Sequence, residues 1–380
     1  MTSSIECKNF LRSLQLLHSF ADMGVEFFIL CPGSRSAPLA LAAGEICLSR
    51  KIKLFNSIDE RSAGFHALGL SSASGKKVIV ITTSGTAVAN LLPSAVEADR
   101  SCKSIIYLTA DRPLRLKNCG ANQTVNQEEF LLAACKVFLS TNLNGLHNTS
   151  NSDIQSLLNV ISKKDLSNTG PIHLNIPLEK PLIISSDNKE KTLEVFKKEY
   201  QDVSLDFCKK IADEKNGEIF EEILSKINFT KPGLIIVGPY RGALNDLLEF
   251  NNSLEKLQKL TGWPVFADPV SGVDPSLRGL VEHWELIIHS EKKDLGFNQL
   301  LRLGPTPTSS VLDKFLGDFN GWHVLIKEND SRNLDPLKKA VEYEFGLHNF
   351  VKNIIDPKYK NIIEVKSLIP LASYLIKKGK

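Results

Sequence analysis

The chain has 380 residues, which is enough for two domains that each bury a hydrophobic core. Apolar residues make up 42% of the chain and charged residues 23%, the composition of an ordinary globular protein. The formal net charge is only +3, so the charge gives no reason to expect a nucleic-acid or membrane partner.

The N-terminal segment MTSSIECKNFLRSLQ lacks the basic start and apolar run of a secretory signal. No apolar stretch of the sequence is long enough to cross a bilayer. The seven cysteines are scattered and form no CxxC pair, which argues against a zinc site or a disulfide framework. We therefore expect a cytoplasmic protein with reduced thiols.

Strand and helix signals alternate through the first half of the chain. Short apolar runs rich in β-branched residues predict strands at 25–31, 53–58, 78–82, 104–109 and 171–176. Between them, apolar residues at helical spacing predict helices at 38–47, 60–72 and 86–98. Strands separated by helices of this length favour a parallel sheet covered on both faces, so we predict a doubly wound α/β domain.

Polar and glycine-containing segments follow four of these strands. In a parallel sheet, ligands bind at the carboxyl ends of the strands. We therefore expect the four segments to gather along one edge of the sheet: CPGSRS (31–36), SIDER (57–61), TTSGT (82–86) and LTADRP (108–113).

The rest of the chain predicts a second α/β domain. Residues 1–184 are taken as the first domain, and the charged stretch 185–212 as a linker. Residues 213–355 again alternate strands and helices, as in a Rossmann-like domain, but contain no GxGxxG motif that would favour a dinucleotide. Residues 356–380 form a short C-terminal segment, in which 365–376 has helical spacing.

Asp59-Glu60-Arg61 stands out because it follows a predicted strand and opens a helix. Acidic residues are common in the first turn of a helix, where they interact favourably with the helix dipole, and that is one interpretation. The context offers another, since the four segments together resemble the pyrimidine-binding domain of thiamine-diphosphate enzymes. They are most similar to one family, the 2-succinyl-5-enolpyruvyl-6-hydroxy-3-cyclohexene-1-carboxylate (SEPHCHC) synthases.

The resemblance runs from about residue 8 to residue 180 and continues more weakly to about residue 350. Its most specific parts are 31–38, 59–69 and 109–123. It implies a transferase of menaquinone or phylloquinone biosynthesis. Such an enzyme uses thiamine diphosphate to decarboxylate 2-oxoglutarate and adds the resulting carbanion equivalent to isochorismate.

The resemblance also assigns cofactor-binding residues. Glu60 matches the catalytic glutamate that bonds N1′ of the aminopyrimidine and so favours formation of the reactive ylid. Pro32, Thr86 and Asn90 match cofactor contacts. For Thr86, the alternative is a plain strand-to-helix turn capped by a hydroxyl group.

Substrate binding is assigned to a second set of residues. Both substrates carry several carboxylates, which arginine binds through paired charge-assisted hydrogen bonds. Arg35 and Arg112 match the substrate-binding arginines of the family, and Ser34, Asn122 and Gln123 match neutral donors beside them. The alternative for each arginine is a surface salt bridge.

The sequence departs from the family in two places. The middle domain of the family carries a basic residue near the position of Ser310, which is neutral here. We also expect the family's diphosphate-binding domain, which holds Mg²⁺ or Mn²⁺, to be absent from this chain, since Gly317-Asp318 lacks the surroundings of its Gly-Asp motif. The chain would then supply no metal ligand and no complete site. In the family, the active site forms between two subunits, which implies a homodimer or a larger assembly.

Two other functions remain open at this stage. The chain could be a non-catalytic binding or regulatory protein that keeps the same fold, although Glu60 and the two arginines argue against this. It could also belong to another thiamine-diphosphate carboligase, such as an acetohydroxyacid synthase. That enzyme shares the glutamate but has no evident need for two arginines facing polycarboxylates.

Overall fold

The computed structural model describes residues 4–165, 170–200, 209–229, 231–290, 295–328 and 330–356. The chain divides into two compact units, Met1–Asp206 and Phe207–Lys380. The helix predicted at 365–376 lies outside the described residues, as does almost all of the predicted segment 356–380.

The first unit contains a six-stranded sheet in the order β2-β1-β3-β4-β6-β5, in which every pair is parallel. Its strands are β1 (Val25–Leu30), β2 (Lys53–Asn56), β3 (Lys77–Thr82), β4 (Ile105–Asp111), β5 (Val137–Ser140) and β6 (Ile172–Pro177). Its helices are α1 (Ile5–Asp22), α2 (Ala37–Ser49), α3 (Glu60–Ser74), α4 (Thr86–Ala89), α5 (Leu92–Arg100), α6 (Asn151–Asp165) and α7 (Ser186–Glu199).

Helices cover both faces of this sheet. On one face, α1, α2 and α6 pack through residues such as Leu14 and Leu39 against the strands. On the other face, α3 and α5 pack through small residues such as Ala63 and Ala95. The prediction of a doubly wound parallel sheet is therefore confirmed for this unit.

The helix predicted at 86–98 is divided into α4 and α5. Pro93 lies in the first turn of α5 and has no N–H group to donate to the carbonyl of Ala89, four residues earlier. The chain therefore ends one short helix and starts another, with Asn90 at the junction.

Helix α7 lies within the stretch predicted as a linker, 185–212. Ser185 caps it by accepting a bond from the Asn188 N–H at 3.4 Å, and Phe196 is buried in the core against α1. The charged composition conceals this contact because only a narrow stripe of apolar residues faces inward. The described part of the predicted linker thus includes a helix of the first unit.

The second unit also has a parallel sheet, in the order β11-β10-β9-β7-β8. Its strands are β7 (Gly233–Val237), β8 (Val265–Ala267), β9 (Gln299–Leu303), β10 (Trp322–Lys327) and β11 (Val341–Glu344). Its helices are α8 (Lys209–Lys226), α9 (Leu247–Thr261), α10 (Trp284–Ser290), α11 (Ser310–Asp318) and α12 (Leu347–Ile354). Separate apolar clusters lie on its two faces, so the predicted second α/β domain is confirmed as well. In the described part of the chain, no helix has the length and hydropathy that a membrane span requires.

The packing of α3 against α5 gives a first prediction. A Cβ atom at Gly64 would lie 2.0 Å from the Ser94 hydroxyl oxygen, which is itself buried and 3.0 Å from the Tyr107 hydroxyl. We expect Gly64→Ala to lower the free energy of unfolding by about 1–3 kcal/mol, as overpacking does.

Gly69→Ala on the same helix is the matched control. A Cβ atom there meets nothing within 4 Å, so the higher helix propensity of alanine should stabilise the protein by up to about 1 kcal/mol. Denaturant unfolding of the two variants checks both signs, and equal effects would contradict the proposed contact.

Candidate active site

The carboxyl ends of four neighbouring strands form one edge of the first sheet. The order β2-β1-β3-β4 places SIDER, CPGSRS, TTSGT and LTADRP side by side at this edge. The predicted grouping is therefore confirmed, and it brings the candidate residues of four separate segments into one region.

Glu60 begins α3 directly after the turn that follows β2. Asp59 caps the helix, and the bond that its carboxylate accepts from the Ser62 N–H at 2.7 Å lowers the pKa of Asp59. Glu60 is only partly exposed, and its Oε2 accepts a bond from Asn90 Nδ2 at 3.2 Å. The structure thus brings together two residues predicted to contact the cofactor.

Cys31 directly follows β1 and lies close enough to Glu60 and Asp59 for their charges to act on it. Its thiol is fully buried. Burial, followed by the negative charges of Glu60 and Asp59, raises the pKa of Cys31 to about 12. The floor of the site next to Glu60 is therefore a neutral thiol, while Pro32 and Ser34 of the same turn are exposed.

The turns after β1 and β3 approach each other closely. A Cβ atom at Gly33 would lie 2.4 Å from the Thr83 Cβ, so only glycine fits without a shift. Gly85 has a φ of +89°, and a Cβ atom there would lie 2.8 Å from Gln123 Cγ. Thr86 follows as the exposed first residue of α4. Because the two glycines have no side chains, Thr83 and Gln123 can pack directly against the turns at this edge.

Arg112 is held by groups from two other segments. The guanidinium is largely buried, and its Nη1 donates to the Ser84 hydroxyl and to the Gln123 carbonyl at 2.7 Å. Gln123 itself has a φ of +57°, and its Nε2 donates to the Ser84 carbonyl at 3.0 Å. Asn122 is exposed beside it. Ser84, which was not predicted as a site residue, therefore fixes both Arg112 and Gln123.

Arg35 is also a buried cation. Its Nη1 donates to the Leu178 carbonyl at 2.7 Å, whereas its Nε is buried without a hydrogen-bond partner among the described residues. Burial, and then repulsion from Arg112, lowers the pKa of Arg35 from its usual high value. Two neighbouring buried guanidinium groups with an unused donor are suited to bind a carboxylate. The alternative of an exposed surface salt bridge does not fit their burial.

Asp111 holds the backbone of Arg112. Its Oδ1 accepts a bond from the Arg112 N–H at 2.7 Å, and its Oδ2 accepts bonds from Lys117 Nζ at 2.7 Å and Asn175 Nδ2 at 2.8 Å. The carboxylate is almost completely buried, so these partners compensate for its lost hydration. Lys117 and Asn175 were not predicted as part of the site.

Gln127 connects this network to the turn after β3. Its Oε1 accepts a bond from the Gly85 N–H at 2.9 Å, and its Nε2 donates to the Ala110 carbonyl at 3.0 Å and to Asn175 Oδ1 at 2.8 Å. The sequence offered a partial signal, since Lys117 lies within 109–123, one of the specific parts of the resemblance, and Gln127 follows it four residues after position 123. Asn175 could have been noticed as an amide within an otherwise apolar strand.

In the second unit, Ser310 is the exposed first residue of α11. Arg302, the nearest preceding basic residue, is fully buried and forms an ion pair with Asp335 at 3.3 Å and a bond to the Thr306 hydroxyl. Arg302 is therefore held by partners within this unit, and the position of Ser310 itself carries no charge. Within the described ranges, no group of three or more His, Cys, Asp or Glu side chains could hold a metal ion.

His173 gives a prediction about pH. Its ring is buried beneath the site, where Nε2 lies 2.9 Å from the Thr109 hydroxyl, and burial lowers its pKa from 6.5 to about 4. The unfolded chain therefore binds a proton that the folded chain does not bind between these two pH values. We expect stability to fall as the pH falls from about 6.5 to about 4, by about 3 kcal/mol for this one group.

The variant His173→Gln removes the titrating group and keeps a donor and an acceptor for Thr109. Denaturant unfolding of both proteins across this pH range measures the difference in slope. The same slope in both proteins would contradict the role of His173.

The sequence is similar to that of known proteins. Residues 14–130 match the model of the thiamine pyrophosphate enzyme N-terminal TPP binding domain. Over 379 residues, covering the whole chain, the sequence is 57% identical to a SEPHCHC synthase of Prochlorococcus marinus strain MIT 9515 and 58% identical to that of strain MIT 9215. The synthase of strain NATL2A is 44% identical and covers 97% of the chain. The chain spans 64% of the length of the first two relatives and 61% of the third. It is therefore a homologue of the SEPHCHC synthases, and its first unit contains the N-terminal domain of the thiamine pyrophosphate enzymes.

Proposed function

We propose that this chain supplies one side of the active site of a SEPHCHC synthase, a transferase that decarboxylates 2-oxoglutarate and adds the resulting four-carbon unit to isochorismate. One observation carries the proposal. Arg35, a buried cation whose Nε has no partner among the described residues, belongs to the same sheet edge as the Glu60–Asn90 pair. This shared edge supports the proposal that a carboxylate-binding group and a cofactor-activating group belong to one site.

The residues present fit the aminopyrimidine end of thiamine diphosphate. Glu60 would hold a ring nitrogen through its carboxyl group, and Asn90 would fix the orientation of that carboxyl group by its bond to Oε2. Pro32 and Thr86 are exposed on adjacent turns, where they would contact the ring. When bound, thiamine diphosphate supplies the carbanion chemistry that no protein side chain provides.

In this proposal, Glu60 shares a proton with the ring nitrogen at its carboxylate oxygen. Asn90 Nδ2 donates to the Oε2 atom of this carboxyl group at 3.2 Å. Cys31 does not compete for the proton, since its raised pKa keeps the thiol neutral.

Substrate binding would use the two arginines. Arg35 would donate through its guanidinium group to a carboxylate of 2-oxoglutarate or isochorismate, and Arg112 would hold a second carboxylate. Ser34, Asn122 and Gln123 lie at the same edge and would supply neutral donors. Because the Ser84 hydroxyl and the Gln123 carbonyl hold the Arg112 guanidinium in place before any substrate arrives, little side-chain entropy would be lost on binding.

The fit does not extend to the diphosphate end. A diphosphate with Mg²⁺ or Mn²⁺ needs several oxygen ligands, and the described residues contain no cluster of three or more acidic or metal-binding side chains. We propose that this end is held by a part of the enzyme corresponding to the length of the relatives that the chain does not span. We also propose a homodimer or a larger assembly, as the family resemblance implies.

Two other functions are less well supported. A non-catalytic protein of the same fold would not need a carboxylate held by Asn90 and a buried arginine at the same sheet edge. A different thiamine-diphosphate carboligase would not account for identities of 57–58% to SEPHCHC synthases over the whole chain.

The main test uses a fusion of this chain to the part of the strain MIT 9515 relative that it does not span. We expect the fusion, with thiamine diphosphate and Mg²⁺, to release CO₂ from 2-oxoglutarate. Glu60→Gln should lower this rate by about a hundredfold or more, the range for a lost acid–base group. Release of labelled CO₂ in single-turnover experiments measures the effect.

Asp59→Asn is the matched control for that experiment. It removes the same charge one residue earlier, and asparagine caps helices as well as aspartate does, so the rate should stay within about threefold of the unchanged fusion. Equal losses in the two variants, or full activity of Glu60→Gln, would refute the role of Glu60.

A simpler prediction concerns the chain alone. Because the described residues offer no divalent-cation site, we expect thiamine diphosphate with Mg²⁺ to bind more weakly than about 100 μM. Calorimetric titration measures this affinity. Micromolar binding would show that the chain holds the diphosphate by itself.

A further inference from the structure

Glu179 is a carboxylate close to the proposed substrate-binding arginine. It follows Leu178, whose carbonyl accepts the bond from Arg35 Nη1 at 2.7 Å. The Glu179 side chain is largely buried, with 14% of its surface exposed. An acidic group at this position would attract Arg35 and repel any anionic ligand that approaches it.

Arg115 holds Glu179 in a paired geometry. The Glu179 Oε2 accepts bonds from Arg115 Nη2 at 2.7 Å and Nε at 3.0 Å, while Oε1 accepts the Lys180 N–H at 2.9 Å. Burial alone would raise the pKa of Glu179, but the Lys180 N–H and Arg115 outweigh it, so the pKa lies below its usual value. Glu179 is therefore ionised at neutral pH, and its charge is offset by Arg115.

The charged groups around Arg35 form a balanced set. Arg112 and Arg115 repel it, while Glu179 and Asp111 attract it. Asp111 is paired with Lys117 at 2.7 Å, an almost completely buried contact, and Lys117 also pairs with Glu128 at 3.0 Å. Because the Arg115–Glu179 pair adds no net charge, the positive charge of Arg35 and Arg112 remains available to a ligand.

Arg115 is the member of this set whose ion pair solvent and salt can weaken. Its side chain is 63% exposed, so solvent and salt reach its bond to Glu179. If Arg115 is removed, the charge of Glu179 is no longer offset and acts on Arg35. If Glu179 is neutralised, the positive charge of Arg115 is added to the site.

We propose that the Arg115–Glu179 ion pair sets the electrostatic potential that a substrate meets at Arg35, and that it thereby tunes the affinity of the site for dicarboxylates. The pair acts through Arg35, so Arg115 and Glu179 are positioning residues and touch no reacting atom. This inference rests on the proposed function, since it assumes that Arg35 binds a carboxylate of 2-oxoglutarate.

The test titrates the full 380-residue chain with 2-oxoglutarate and follows binding by NMR at low salt. We expect Glu179→Gln to bind about threefold more tightly than the unchanged chain and Arg115→Met about threefold more weakly, the size of a partly exposed charge effect. The double variant should return close to the unchanged chain. Raising the salt from about 0.05 M to about 0.5 M should remove most of these differences.

The matched control is an exposed ion pair at the opposite edge of the same sheet. Glu26 and Lys76 lie 2.8 Å apart at the amino ends of β1 and β3. Glu26→Gln and Lys76→Met make the same changes in net charge far from Arg35, so they should leave the affinity unchanged. Melting temperatures of all variants show whether a change in affinity accompanies a loss of stability. If the pair were purely structural, removing either partner would change the affinity in the same direction through such a loss.

The possible outcomes separate the two proposals. Binding of 2-oxoglutarate with equal or same-direction effects of Glu179→Gln and Arg115→Met overturns the role of the pair but leaves the proposed function intact. Absence of binding by the unchanged chain and by every variant overturns both the role of the pair and the assignment of Arg35. Opposite effects that salt removes support the inference.

Discussion

The buried carboxylate of Asp111 is the group on which the geometry of the candidate site depends. A charge removed from water is stable in a protein only when other groups compensate for its lost hydration. Here the compensation comes from a backbone N–H, an ammonium group and an amide, which lie on three different segments. The carboxylate therefore joins the end of β4 to the loop that follows it and to β6. Gln127 extends this network to the turn after β3.

This arrangement explains why the site can be stable without a ligand. Arg35 and Arg112 repel each other, and each loses hydration on burial. Their anchors, the Leu178 carbonyl for one and Ser84 with the Gln123 carbonyl for the other, are neutral oxygen atoms. Neutral acceptors hold the two cations in place but do not cancel their charge. The fold thus keeps a positive region at the sheet edge that an anion can neutralise.

Much of the fold could be predicted from sequence because its strands are buried on both faces. Runs such as 78–81 consist of Val and Ile alone and are too short for a buried helix, so their assignment to strands was straightforward. The edge strand β5 and the helix α7 were missed because each shows only a weak apolar pattern within polar sequence. Their stability comes from contacts with distant residues, such as that of Phe196 with α1, which no local pattern encodes.

The residues of the candidate site were also predicted only in part. Glu60, Arg35 and Arg112 could be predicted, because each follows a strand in a segment that resembles a known family. Lys117, Gln127 and Asn175 were not predicted. Their partners are a buried carboxylate and backbone groups on other segments, and only the folded chain brings these together. The network beneath the arginines is thus a tertiary feature.

The buried thiol of Cys31 has a consequence for chemical reactivity. Thiolates, rather than thiols, react with alkylating agents and oxidants. A pKa of about 12 leaves almost no thiolate at neutral pH. Cys119, by contrast, is exposed on the loop between Arg112 and Gln123. A thiol-directed probe would therefore reach Cys119 far sooner than Cys31. The loop that holds Arg112 can be labelled with a spin label or a fluorophore while the interior beside Glu60 stays chemically untouched.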